Sequence, residues 1–125
     1  MNFRFVPLRI HAAADYLVDA SFFGVPILSD FPSSARLVAW SVAAIHFAMT
    51  ILTDYPGGVL RLIPLRYHLL AELVLGPVLF AMPWLLGFSG HRTATILFTV
   101  WGAISFLTYF VTDRTERRPA ILSGN

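Results

Sequence analysis

The sequence predicts an all-α, polytopic membrane protein with four transmembrane helices. They form two tandem helical hairpins related by a pseudo-twofold axis normal to the membrane. Three observations predict this fold: few charges, three uncharged stretches of membrane-spanning length, and an internal repeat. Charged residues make up 13% of the 125 residues and hydrophobic residues 57%, whereas soluble domains carry roughly 25% charged residues. Because so short a chain cannot bury this much apolar surface in water, we expect one membrane domain over residues 1–125.

The internal repeat is a cassette of arginine, proline, arginine, histidine and an acid, which occurs twice. The matching positions are Arg4 and Arg61, Pro7 and Pro64, Arg9 and Arg66, His11 and His68, and Asp15 and Glu72. Near the end of each half the repeat resumes, and Thr53-Asp54 matches Thr112-Asp113. A fixed internal period indicates a duplicated structural unit. We therefore place repeat one at about 4–54, repeat two at about 61–113, and a short cytoplasmic tail at 114–125.

Four helices follow from the distribution of charge along the chain. The first is predicted at about 10–29 and must carry Asp15 and Asp19, because the residues between Asp19 and Asp30 are too few to cross hydrocarbon. Three stretches without formal charge, at 37–53, 73–90 and 93–112, predict the other three helices, which we place at about 36–53, 67–87 and 93–112. Turns rich in glycine, proline and serine separate these segments, as expected for hairpin connections.

The arginines predict the orientation in the membrane. Seven flank the predicted helices on one side, and two lie on the other: Arg4, Arg9, Arg61, Arg66, Arg114, Arg117 and Arg118 against Arg36 and Arg92. By the positive-inside rule, both termini are expected in the cytoplasm, with the protein integral to a bacterial inner (plasma) membrane. Arg9, Arg66 and Trp84 are the predicted interfacial anchors, and Tyr55 and Tyr67 are assigned to an inner aromatic belt.

Three motifs resemble those of the SPW-repeat integral membrane proteins. They are Ile-Pro-Leu-Arg-Tyr-His at 63–68 with the acid Glu72 four residues on, Met-Pro-Trp-Leu-Leu-Gly-Phe at 82–88, and the segment at 52–64. The resemblance covers roughly residues 4–113 and implies two transmembrane helices per repeat. It also implies a Ser-Pro-Trp motif late in the first helix of each repeat. This chain has Met82 at the serine position, and the first repeat keeps only Pro26. The family brings no established activity to this chain.

Two histidine–acid pairs are the candidates for chemistry. His11 and Asp15, and likewise His68 and Glu72, are four residues apart and therefore share a helix face. If the two pairs meet at the pseudo-twofold axis, they supply two imidazoles and two carboxylates. Such a set can bind a divalent metal or form a proton relay. Alternatively, the pairs lie at the headgroup boundary, where they cap the helix starts and bind arginine or lipid phosphate.

Asp19 and His46 extend the candidate polar or ion site deeper into the membrane. Asp19 lies eight residues beyond His11, which is about 12 Å along a helix axis. A carboxylate at that depth normally faces the bundle interior, and His46 and Thr50 are its candidate partners. His46 matches Ser105 in the second half, so its contact is expected to be asymmetric. A haem ligated by His46 is disfavoured because His46 has no histidine at matched depth, and we expect no resident metal and no cofactor.

The leading functional interpretation is a small non-enzymatic membrane protein that acts by helix association. It would work as a homo-oligomer or as an accessory subunit of a larger membrane complex. Its expected partner is the lipid bilayer, and no nucleic-acid partner is expected. The alternative is a proton- or cation-translocation element that uses the intramembrane acids and histidines. A metal-binding membrane enzyme is the third interpretation. Since no nucleophile elbow, phosphate loop or paired-cysteine motif occurs in the sequence, no catalytic residue is assigned.

Overall fold

The computed structural model describes residues 2–115, and these residues form four α-helices, as predicted. The helices are α1 (Leu8–Leu28), α2 (Ser33–Leu52), α3 (Leu65–Leu85) and α4 (Arg92–Val111). Every boundary lies within three residues of its predicted position. Most of the predicted cytoplasmic tail, including Arg117 and Arg118, lies outside the described residues.

Three of the four helices are long and apolar enough to cross a membrane: α2, α3 and α4. Helix α1 has 21 residues but is not one of these candidate spans. Its sequence contains His11, Asp15 and Asp19, which lower its hydropathy, and all three side chains are buried in the bundle. The predicted membrane-spanning length and composition are therefore confirmed for three helices.

Proline sets the start of the two histidine-bearing helices. Pro7 and Pro64 directly precede α1 and α3, where a missing backbone N–H costs nothing and φ is already helical. The Pro7 carbonyl accepts a hydrogen bond from the His11 amide at 3.0 Å. His11 and His68 thus lie in the first turns of their helices, at the same end of the bundle.

The helices pack in sequential pairs, α1 against α2 and α3 against α4, with further contacts of α1 to α4 and of α2 to α3. At the end of the bundle away from the two first-turn histidines, the interior is apolar. The rings of Phe22 and Phe98 meet edge to face there, with centroids 5.1 Å apart. The other members of this apolar core include Phe31, Ala35, Ala39, Leu79, Phe88, Ala94 and Leu97.

Short backbone pairings close the histidine end of the bundle. Val6, just before α1, pairs with Thr112 at the end of α4, and Ile63, just before α3, pairs with Thr53 at the end of α2. The two pairings involve matching residues of the two repeats. Each ties the start of one histidine-bearing helix to the end of a helix from the other repeat, and this brings residues from both repeats to one place.

Candidate metal centre

The six residues predicted as a polar or ion site form one buried cluster. They are His11, Asp15 and Asp19 of α1, His46 of α2, and His68 and Glu72 of α3, and none is more than 7% exposed. Within residues 2–115, the basic groups within 4 Å of the three carboxylates are all histidines. The cluster therefore lies inside the bundle.

Each of the two first-turn histidines faces carboxylates from both repeats. His11 Nε2 lies 3.4 Å from Asp15 Oδ1 and 3.2 Å from Glu72 Oε2. His68 Nε2 lies 3.2 Å from Asp15 Oδ2 and 3.6 Å from Glu72 Oε1. The i, i+4 spacing predicted the contacts within each helix. The contacts between helices place both carboxylates between the two imidazoles.

These donor atoms are clustered at nearly the spacing of the ligands of one metal ion, and the neighbouring nitrogen–oxygen pairs match that spacing. His11, Asp15, His68 and Glu72 each offer one ligand atom, and these four atoms all lie within 4.8 Å of one another. Two ligands bound at about 2.0–2.1 Å to a tetrahedral ion are about 3.3 Å apart, and the nitrogen–oxygen distances of 3.2–3.6 Å lie around that value. Direct charge-assisted hydrogen bonds are shorter, about 2.7–2.9 Å.

Two threonines fix which nitrogen of each imidazole carries hydrogen. His11 Nδ1 lies 2.7 Å from Thr112 Oγ1, and His68 Nδ1 lies 2.8 Å from Thr53 Oγ1. Each threonine hydroxyl donates its only hydrogen to a backbone carbonyl four residues earlier, at 2.6 Å. The threonine oxygens must therefore accept, and both histidines donate from Nδ1.

The opposite ring nitrogens face the two carboxylates at distances of 3.2–3.6 Å. His11 Nε2 and His68 Nε2 are buried and have no hydrogen-bond partner within residues 2–115. A neutral imidazole with hydrogen on Nδ1 presents its lone pair at Nε2, which is the arrangement found when a histidine binds metal. Thr53 and Thr112 were not predicted as site residues. Their signal was the matching Thr-Asp pair at the end of each repeat.

Asp19 and His46 adjoin the four-residue group. His46 Nδ1 donates to Asp19 Oδ1 at 2.7 Å, so His46 is the partner of Asp19. Thr50, the other candidate partner, donates to the His46 carbonyl at 2.9 Å. His46 Nε2 points toward the main group and lies 3.9 Å from Glu72 Oε1.

Tyr55 belongs to the cluster and not to an aromatic belt, so its assignment to the inner belt was wrong. Its side chain is 3% exposed, and its hydroxyl donates to Asp15 Oδ2 at 2.7 Å. Burial, and then the nearby charge of Asp15, raise the pKa of the Tyr55 hydroxyl, so this group stays protonated and donates. The turn can fold this tightly because Gly58 has no Cβ atom. A Cβ at this position would overlap the Thr53 carbonyl oxygen.

The three predicted interfacial anchors lie outside the cluster. Arg9 and Arg66 are exposed near the starts of α1 and α3, and the Arg66 guanidinium lies 4.8 Å from the centre of the Tyr67 ring. Trp84 is exposed near the end of α3, at the other end of the bundle. Their anchoring role stays a prediction.

Comparison with protein-family models, curated proteins and solved structures gives no match for this chain. The resemblance to the SPW-repeat proteins stays a prediction, supported by the motifs that suggested it.

Proposed function

We propose that this is an integral membrane protein with four spans whose buried centre binds a divalent metal ion. The ligands are His11, Asp15, His68 and Glu72. One observation carries the proposal: both imidazoles are held at Nδ1, while their Nε2 atoms face the carboxylates without a hydrogen-bond partner within residues 2–115. The two ligand pairs come from different repeats.

The surface of α1 supports a fourth span. Its charged Asp15 and Asp19 are buried, whereas the side chains directed outward include large apolar ones. These exposed residues are Ile10, Leu17, Phe23, Ile27 and Leu28. Lipid would accept such a face, and the buried acids would be satisfied from within the bundle.

The matched contacts support two hairpins related by a pseudo-twofold axis along the membrane normal. The Val6–Thr112 pairing corresponds to the Ile63–Thr53 pairing, and the two histidine–threonine contacts correspond in the same way. Parallel repeats of this kind have their axis normal to the membrane. With most arginines at one side, we propose a bacterial inner-membrane location with both termini in the cytoplasm.

Charge balance favours a cation at the centre. Asp15 and Glu72 bring two carboxylates into an interior where, within residues 2–115, the basic groups within 4 Å of them are all histidines. Unpaired buried carboxylates are costly in a low-dielectric environment. A divalent ion neutralises both carboxylates and also uses the two Nε2 lone pairs.

The test is metal binding by the purified protein in detergent. After chelator treatment and equilibrium dialysis against Zn²⁺, we expect about one ion per chain. The double variant His11→Ala/His68→Ala should lose this ion. His91→Asn is the matched control, because His91 caps α4 far from the centre and asparagine also caps helices. Wild-type protein without zinc, or equal zinc in the double variant, would contradict the proposal.

Proton or cation translocation is the second candidate function. The Asp19–His46 pair favours it, because this pair extends polar contacts inward from the main group. Beyond Asp19, Phe22, Leu79 and Phe98 fill the interior. A transported ion would therefore need a path that opens through this apolar core. Function by helix association stays a prediction.

A further inference from the structure

We propose that His46 is the third imidazole ligand of the centre and that Asp19 is the carboxylate that orients it. This inference depends on the proposed metal site. It assigns the site to a first-row transition ion, because three imidazoles and two carboxylates form a mixed nitrogen and oxygen donor set.

His46 shows the same division of ring nitrogens as the other two buried histidines. Its Nδ1 donates to Asp19 Oδ1 at 2.7 Å, a typical distance for a charge-assisted hydrogen bond. Its Nε2 is buried and has no hydrogen-bond partner within residues 2–115. A histidine that donates one nitrogen to a carboxylate while the other faces a cation is a recurrent arrangement in metal sites.

His46 lies outside the group of four residues whose ligand atoms are within 4.8 Å of one another, but its distance to one of them, Glu72, allows both to bind one ion. Two ligands of one metal ion are separated by at most twice the bond length, about 4.2 Å for bonds of about 2.1 Å. His46 Nε2 is 3.9 Å from Glu72 Oε1. The His46 and His68 ring centroids are 6.0 Å apart, so the two rings are neighbours without being stacked.

The site is asymmetric at this position. Ser105 occupies the place of His46 in the second repeat, and Gly76 occupies the place of Asp19. Gly76 lets α3 contact the backbone of α4 directly, since a Cβ there would come within 2.7 Å of the Gly102 oxygen. In the first repeat the corresponding space between α1 and α2 holds the Asp19–His46 pair, so the third imidazole comes from α2 alone.

The donor set then selects the class of ion. Mg²⁺ and Ca²⁺ prefer sites made of oxygen ligands. Imidazole suits zinc, copper, iron and nickel, and no cysteine occurs in the chain to bind softer ions. We therefore expect the centre to retain a first-row transition ion in the presence of excess Mg²⁺.

Pulsed electron paramagnetic resonance of the Cu²⁺-loaded protein tests the inference, because it counts coordinated imidazoles. We expect three imidazoles in the wild type and two in His46→Ser, which introduces the residue of the second repeat. Ser105→Ala is the matched control and should keep three. Two imidazoles in the wild type, or an unchanged count in His46→Ser, would overturn the role of His46 while leaving the metal centre intact. Failure of the wild type to bind copper would overturn both proposals.

Asp19→Asn tests the orienting role without removing a ligand. Asparagine keeps an oxygen that can accept from His46 Nδ1, so the fold and the count of three imidazoles should persist. Loss of the carboxylate should weaken Zn²⁺ binding about 10–100-fold. Unchanged affinity would exclude Asp19 as the orienting residue. The wild-type imidazole count decides the proposal even if His46→Ser fails to fold.

Discussion

Threonine hydroxyls support two of the three buried histidines, and a carboxylate supports the third. A threonine near a helix end commonly donates to the carbonyl four residues earlier, as Thr53 does to Met49. This bond uses the hydroxyl hydrogen and leaves the oxygen as an acceptor. The threonine therefore does more than satisfy the helix end, because it also sets the tautomer of His68.

Removing one threonine hydroxyl should weaken metal binding without removing a ligand. Thr53→Val keeps the side-chain shape but leaves His68 Nδ1 without its acceptor, and we expect the Zn²⁺ dissociation constant to rise about 10–100-fold. Competition with a chromophoric chelator measures this change. Thr53→Ser keeps the hydroxyl group and should bind Zn²⁺ as the wild type does. Thr99→Val is the control, because the Thr99 hydroxyl bonds only to backbone carbonyls of α4. Wild-type affinity in Thr53→Val would show that the tether is dispensable.

At the scale of helices, the two hairpins differ in how closely their helices approach. Gly76 and Gly102 bring the backbones of α3 and α4 together, and a Cβ at Gly102 would come within 2.6 Å of the Phe80 nitrogen. In lipid, small residues are the usual means of close helix packing. In the first hairpin, Asp19 and Ala43 occupy the matching positions. The glycine contact thus holds one hairpin tightly, and the other hairpin has space for a polar pair.

Gly76→Ala should destabilise the protein by about 1–3 kcal/mol, the usual cost of overpacking a tight contact. The added methyl group would meet backbone atoms of α4, which cannot move aside as a flexible side chain can. Thermal unfolding in detergent measures the loss. Gly24→Ala is the matched control: it lies in α1 with nothing within 4 Å of an added Cβ, so higher helix propensity should stabilise it by about 0.5–1 kcal/mol. Equal stability of the two variants would contradict the close α3–α4 contact.

The whole molecule is divided into a polar end and an apolar end. The cluster lies where α1 and α3 begin and where α2 and α4 end, and the exposed Arg9 and Arg66 lie at the same end. The phenylalanine-rich core occupies the other end. A metal centre at this depth is near the cytoplasmic side of the proposed orientation, so ions would reach it from that side.

Labelling of single cysteines should establish the orientation, since the chain has no native cysteine. Asn2→Cys and Val59→Cys should react with a membrane-impermeant reagent only from the cytoplasmic side. Ser34→Cys and Ser89→Cys should react only from the opposite side, because Ser34 lies in the first turn of α2 and Ser89 lies in the turn between α3 and α4. All four native residues are exposed in the protein. Labelling of Asn2→Cys and Val59→Cys from opposite sides would contradict an even number of spans.

The helices were predictable because long apolar runs bounded by charge, proline and glycine determine where helices form. The spacing of His11 and Asp15 also showed that they share a face. Spacing within a helix does not determine which residues of other helices come close, so the distance from His11 to Glu72 required the tertiary structure. Tyr55 was misassigned for the same reason: a tyrosine in a connector looks like an interfacial anchor until the fold of the turn places it over Asp15.

Anomalous X-ray diffraction at the zinc absorption edge, from crystals of the Zn²⁺-loaded protein, tests the metal centre most directly. We expect one buried peak between α1 and α3, at about 2.0–2.1 Å from the Nε2 atoms of His11 and His68. Oxygens of Asp15 and Glu72 should also coordinate this ion. The absence of a buried peak, or a zinc peak only at the partly exposed His91, would contradict the central claim.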